Sequence, residues 1–249
     1  PKQNAANLRT KGWELMLTWN DAFKLANKPF RYNLSVGLAD NTSEITKFDN
    51  PSKILSDYYV GQKLGDIWGY VVDGLFRTDE EAANYNVDQT AVNFVINTAQ
   101  VNPGLHAGDM KFVDLDGDHT ISSGSNTADD PGDRKIIGNS LPRYTYSIQG
   151  GFDWYGFDFS IYLQGVGHQD WYPGTNSVFF WGPYARPYSS FIPRDFLSQV
   201  WSPENPDAYF PRPIGYLALG NNRSLGVVND RYLQNLAYCR VKNITVGYT

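Results

Sequence analysis

The 249-residue chain holds one cysteine, Cys239, which excludes a disulfide within it. Only three histidines accompany it, His106, His119 and His168, too few sulfur and nitrogen donors for a structural zinc cluster. Lysine and arginine form no runs and the formal net charge is −5, so the basic patch of a nucleic-acid binder is missing. No apolar stretch approaches the roughly 20 residues that a helix needs to cross a bilayer. That excludes a helical membrane protein and leaves a β-barrel open, because barrel strands carry a polar residue at every second position. Residues 1–6 do not read as a signal peptide. The 28.1 kDa chain is long enough to bury a core, as one large domain or two modest ones.

Aromatic residues, by contrast, are abundant: 17 Tyr, 14 Phe and 7 Trp make 15% of the chain. They suit strands, membrane-interface belts and sugar-stacking surfaces alike, so their pattern has to choose. Residues 143–165 set that pattern. Tyr144, Tyr146 and Ile148 alternate with Thr145, Ser147 and Gln149. After a turn near 153–156, Phe157, Phe159, Ile161 and Leu163 alternate with Asp158, Ser160, Tyr162 and Gln164. Period two predicts strands with one apolar and one polar face. The same alternation runs through Trp13, Leu15, Leu17 and Trp19, through Phe30, Tyr32, Leu34, Val36 and Leu38, and through Ile244, Val246 and Tyr248. The expected strands are therefore 11–20, 29–40, 143–153, 156–166 and 239–249, with a polar connection over 21–29. The segments 41–142 and 167–238 lack the alternation and are expected as long loops. Within the first, 61–76 suggests short local strands, and Thr78 is an N-cap for a short helix over 78–89 with Asp79, Glu80 and Glu81 in its first turn. Connections that alternate short and very long fit a transmembrane barrel, with short turns on one side and long loops outside. A soluble β-rich module is the rival reading.

Six strings in order carry a family resemblance: NLRTKGWEL at 7–15, IWGYVVDGLF at 67–76, GDMKFVDLDGD at 108–118, DRKIIGNSLPRY at 133–144, FDFSIYLQG at 157–165 and RVKNITVGYT at 240–249. Together they resemble the C-terminal half of SusC-like TonB-dependent outer-membrane transporters, over nearly the whole chain. The resemblance implies an all-β fold, part of an antiparallel transmembrane barrel of 22 strands with long extracellular loops. It implies nutrient import of glycans or peptides rather than enzymatic chemistry. The implied partners are a SusD-like surface lipoprotein as lid, TonB acting through a plug domain, and outer-membrane lipid, with no nucleic acid. The plug and the last family strands are not in residues 1–249, so the expectation is a piece of a larger polypeptide. The alternative is a soluble carbohydrate-binding module with a structural calcium.

Two groups of side chains are candidate sites. Asp114, Asp116 and Asp118 alternate as in the first half of a calcium loop, where hard oxygen ligands gather round a hard cation. The sixth position is His119 instead of glycine, and the twelfth is Ser125, which offers no bidentate carboxylate. A solvated acidic turn and a divalent-ion site both remain open on spacing. The resemblance adds the Thr120 carbonyl and Asp133, displaced by an insertion over 122–132, and implies structural Ca2+. The second group, Trp171, Tyr172, Phe179, Phe180, Trp181 and Tyr184, could cover cargo, meet the lid, or pack the loop on itself. Arg31, Asn33, Asp158, Tyr162 and Gln164 are expected to face the lumen. Asp170, Asp195 and Glu204 lie close in sequence, but no glycosidase-like context surrounds them.

Overall fold

The computed structural model describes residues 6–92, 104–185, 192–213, 219–220 and 224–249. In chain order the elements are β1 (Asn7–Leu25), β2 (Lys28–Lys47), β3 (Asp66–Tyr70), β4 (Val72–Leu75), α1 (Asp79–Ala83), β5 (Met110–Phe112) and β6 (Arg134–Asn139). They continue with β7 (Arg143–Trp154), β8 (Phe157–His168), β9 (Asp170–Trp171), α2 (Val178–Trp181), β10 (Gln234–Asn235) and β11 (Tyr238–Tyr248). The five long strands form one antiparallel sheet in the order β1-β2-β7-β8-β11.

The strand registers assemble the alternation of each strand into continuous rows. Leu17, Val36, Ile148, Leu163 and Val241 are successive partners across all five strands, as are Trp19, Leu34, Gly150, Ile161 and Ile244. One row nearer the short turns come Tyr32, Phe152, Phe159 and Val246, and then Phe23, Phe30, Trp154, Phe157 and Tyr248. These last rows form a belt of touching rings, with centroids 5.0 Å apart for Phe23–Phe30, 5.4 Å for Phe30–Phe152 and 4.7 Å for Phe157–Tyr248. The opposite face carries Thr18, Ser35, Gln149, Tyr162 and Asn243 in one row and Asn20, Asn33, Gly151, Ser160 and Thr245 in another. Among the described residues nothing covers the apolar face: Leu17 is 62% exposed, Leu34 44%, Phe157 47% and Val246 70%. From Trp13 to Phe23 the strand rises about 33 Å at ~3.3 Å per residue, which at a tilt of about 40° spans about 25 Å. That is the height of the apolar band on an outer-membrane barrel.

The first hairpin differs from the expected connection over 21–29. β1 runs through to Leu25 and β2 starts at Lys28, leaving Ala26 (φ 52) and Asn27 (φ 62) as the whole turn. Two successive positive φ values match the twist of the flanking strands. The Phe23–Phe30 contact joins that segment, whose polar residues disguised it, to the expected second strand. Tyr155 (φ 52) and Gly156 (φ 85) make the second such turn.

At the other end of the sheet, the two long segments share one core. Tyr70, Val92, Phe112 and Ile121 from the first pack with Trp181, Phe196, Phe210, Leu225 and Tyr232 from the second. Short ladders brace it: β3 pairs with β6, β4 with β5 and β9 with β10. The helix α1 is capped by Thr78, whose Oγ accepts the Glu81 N–H at 3.1 Å, while the Glu81 carboxylate takes the Arg77 N–H at 2.8 Å. It ends at Ala83, short of the expected Gln89. Two bidentate ion pairs tie distant segments: Arg143 holds Asp40 at the junction with the sheet, and Arg212 holds Asp109 within the outer body.

Candidate functional site

The acidic loop follows β5 and is wound by its own carboxylates. Asp114 accepts the Gly117 N–H at 2.7 Å and the His119 N–H at 2.9 Å, and Asp116 accepts the Asp118 N–H at 3.2 Å. His119 takes φ +66, the left-handed conformation for which a calcium loop normally uses glycine. Asp133 is fully buried and receives the Leu115 and Ser122 N–H groups, each at 2.7 Å. The insertion closes at its own base, where the Asp133 N–H donates to the Ser122 carbonyl at 3.1 Å. Gly132 lies so close to the Gly124 backbone that a Cβ would collide with it. The extra residues therefore loop outward, and Asp133 stays beside the turn.

As a result, oxygens of Asp114, Asp116 and Asp133 lie within 4.8 Å of one another. Asp118, the other expected carboxylate ligand, is not among these three. Its carboxylate accepts the Thr120 N–H at 2.7 Å. The parallel bridge to Asp88 uses the His119 carbonyl and the Ile121 amide, so the Thr120 carbonyl is not committed to it. The Asp118 amide pulls the Asp116 carboxyl down, but desolvation and the charges of Asp133, Asp118 and Asp114 outweigh it and raise its pKa. For Asp114, desolvation raises the pKa and the His119 and Gly117 amides outweigh it, leaving it lowered. Among the described residues no lysine or arginine forms an ion pair with these three carboxylates. All-oxygen donors with unneutralised like charge fit a hard divalent cation.

The aromatic group divides. Trp181 and Tyr184 are 0% and 2% exposed, as in the alternative in which they pack the loop on itself. The Trp181 ring packs edge-on to Tyr232 at 5.2 Å, and its Nε1 donates to the Gly174 carbonyl at 3.0 Å. Tyr184 stacks on Phe210 and donates its hydroxyl to the Pro211 carbonyl at 2.6 Å. Tyr172 donates to the Val227 carbonyl at 2.9 Å, and burial pushes its phenol well above the usual range. Phe180 lies against Trp181 and Phe210. Phe179, 90% exposed, and Trp171, 42% exposed, are the members left facing outward. The sequence reading missed the Asp40–Arg143 and Asp109–Arg212 pairs. Asp40 had left a signal, a carboxylate closing the apolar series Leu34, Val36, Leu38.

No protein-family model matches the chain. It is 24% identical over 275 residues to TonB-dependent receptor P39 of Formosa agariphila, covering 100% of this chain and 24% of the relative. It is 24% identical over 260 residues to TonB-dependent receptor P3 of the same organism, covering 99% of this chain and 22% of that protein. The match to TonB-dependent receptor SusC of Bacteroides thetaiotaomicron is 25% identical over 259 residues, with 99% of this chain and 21% of SusC covered. Over its whole length the chain is similar to TonB-dependent receptors. It spans under a quarter of the length of these receptors. Its architecture is all-β, and no described helix is long and apolar enough to cross a membrane.

Proposed function

We propose that the chain is a stretch of barrel wall, with the outer body above it, in a TonB-dependent nutrient importer of the bacterial outer membrane. The observation that carries this is the set of unbroken apolar rows, Leu17 to Val241 and Trp19 to Ile244, which lie uncovered over about the height of a bilayer's apolar band. A soluble carbohydrate-binding module needs a second sheet over those rows, and none of the described residues supplies one. Among the described residues the outer edges of β1 and β11 are unpaired, and lipid does not tolerate open edges. Further strands of the intact polypeptide close the sheet in this reading. Oligosaccharide or peptide is the cargo, a SusD-like lipoprotein the lid, and TonB the source of mechanical work, with Phe179 and Trp171 available to meet cargo or lid. The intact polypeptide will sediment with outer membranes and need detergent for release, and its loss will abolish uptake of labelled oligosaccharide or peptide. Recovery in the detergent-free supernatant overturns the reading.

Within it, Asp114, Asp116 and Asp133, with the Thr120 carbonyl, hold a structural Ca2+ that neutralises their charge and fixes the loop. Calcium titration of the intact protein will release heat, and Asp116→Asn will weaken binding about tenfold or more. Because a proton on the Asp116 carboxyl, whose pKa is raised, competes with the cation, affinity falls as the pH drops into the carboxylate range. Titration without heat, and a loop equally open to protease with and without Ca2+, contradicts the assignment.

A further inference from the structure

The apolar face does not end in neutral residues on the side of the long segments. Arg9 and Lys11 continue the outward series of Trp13, Leu15 and Leu17, since every second residue of β1 shares a face. Lys11 stands about 7 Å and Arg9 about 13 Å beyond Trp13 along the strand, at ~3.3 Å per residue. Their partners across the β1–β2 ladder are Thr42 and Glu44. Arg9 donates to the Glu44 carboxylate at 2.9 Å. A third cation arrives from the outer body. Residues 61–64 hydrogen-bond along the upper part of β2, through the Ile45 N–H to the Gln62 carbonyl at 2.9 Å and the Leu64 N–H to the Ser43 carbonyl at 2.8 Å. That pairing sets Lys63 opposite Glu44 in an antiparallel bridge. Lys11 and Lys63 both contribute to the electrostatic field at Glu44, and both are exposed.

Three cations thus surround one carboxylate, so the cluster keeps an excess of two positive charges. The next charges inward, Asp40 and Arg143, neutralise each other in a bidentate pair. A neighbouring strand would bond to the edge of β1 and leave this outward face uncovered. If the apolar rows face lipid, the cluster lies at headgroup depth, just beyond the Trp13 ring. Long basic side chains at that depth lay their stems on apolar surface and present their charges to anionic headgroups, each contributing favourably to binding.

We propose that Arg9, Lys11 and Lys63 form a site for the phosphate of an outer-leaflet lipid headgroup, holding that lipid against the wall above Trp13. The proposal rests on the membrane-wall reading. Glu44 limits the site, since its carboxylate competes with phosphate for Arg9.

The test uses the intact polypeptide in detergent, incubated with diphosphoryl lipid A, with retained lipid counted by native mass spectrometry. The combined Arg9→Gln, Lys11→Gln and Lys63→Gln protein will retain about tenfold less lipid, and Glu44→Gln will retain more than the unaltered protein. Arg240→Gln removes the same charge from the opposite face, where Arg240 pairs with Gln164, and will leave retention unchanged. Dephosphorylated lipid A will be retained no better than diphosphoryl lipid A is by the triple variant, and equimolar inorganic phosphate will not displace the bound lipid. Equal retention by the triple variant, equal retention of the dephosphorylated lipid, or displacement by inorganic phosphate overturns the proposal. A polypeptide that is soluble without detergent overturns the wall reading instead, which separates the two failures.

Discussion

Trp181→Ala will loosen the outer body by about 3–5 kcal/mol, the usual cost of emptying a tryptophan site in a packed core. The indole is fully buried and contacts Phe180, Phe210 and Tyr232, and its Nε1 holds the chain at Gly174. Truncation loses both the packing and that anchor. Hydrogen exchange of the intact protein will show faster exchange at the amides of Phe210 and Tyr232, while the hairpin amides at 30–36 stay protected. Phe179→Ala serves as the comparison. That ring is 90% exposed, so its removal changes stability by no more than about 0.5 kcal/mol. Equal effects of the two substitutions would show that the long segments lack a shared core.

Ile148→Arg will cost about 2–4 kcal/mol in a lipid bilayer, whereas Gln149→Arg, one residue along the same strand, will cost little. Ile148 lies in the row of Leu17, Val36, Leu163 and Val241, near the middle of the apolar band. A guanidinium there has to leave water or drag it into the membrane. Gln149 belongs to the row of Ser35 and Tyr162 on the opposite face, where a charge stays hydrated. Unfolding titrations in lipid vesicles measure the difference. Similar costs at both positions would mean that the two faces meet the same solvent.

The five long strands were legible because a strand with one apolar and one polar face alternates along its whole length, so the signal is local. Their ends were harder to read. Asp21 stands on the apolar face at the level of the ring belt, its carboxylate taking the Ala22 N–H at 2.7 Å, and this polar break in the alternation made 21–29 read as a connection. The outer body was not legible, since its core is assembled from contacts far apart in sequence, such as Tyr70–Phe112 and Trp181–Tyr232, which leave no period. This also explains the mixed fate of the aromatic loop, where composition cannot distinguish the buried Trp181 from the exposed Phe179. In the acidic loop the spacing gave Asp114 and Asp116. Asp133 came only with the resemblance, because an insertion that closes on itself changes the sequence distance without changing the spatial one. Asp118 carries the same spacing signal, and its carboxylate accepts the Thr120 amide beside the group of three.

The central claim is that the rows from Leu17 to Val241 and from Trp19 to Ile244 are bathed in lipid tails. Spin labels placed one at a time at positions 15 to 20 of the intact, reconstituted protein measure this directly, through collision with oxygen dissolved in the bilayer and with a water-soluble nickel chelate. The account predicts strong oxygen collision at 15, 17 and 19 and access of the nickel chelate at 16, 18 and 20. Nickel access at 15, 17 and 19, or shielding of those three positions from both reagents, would contradict it.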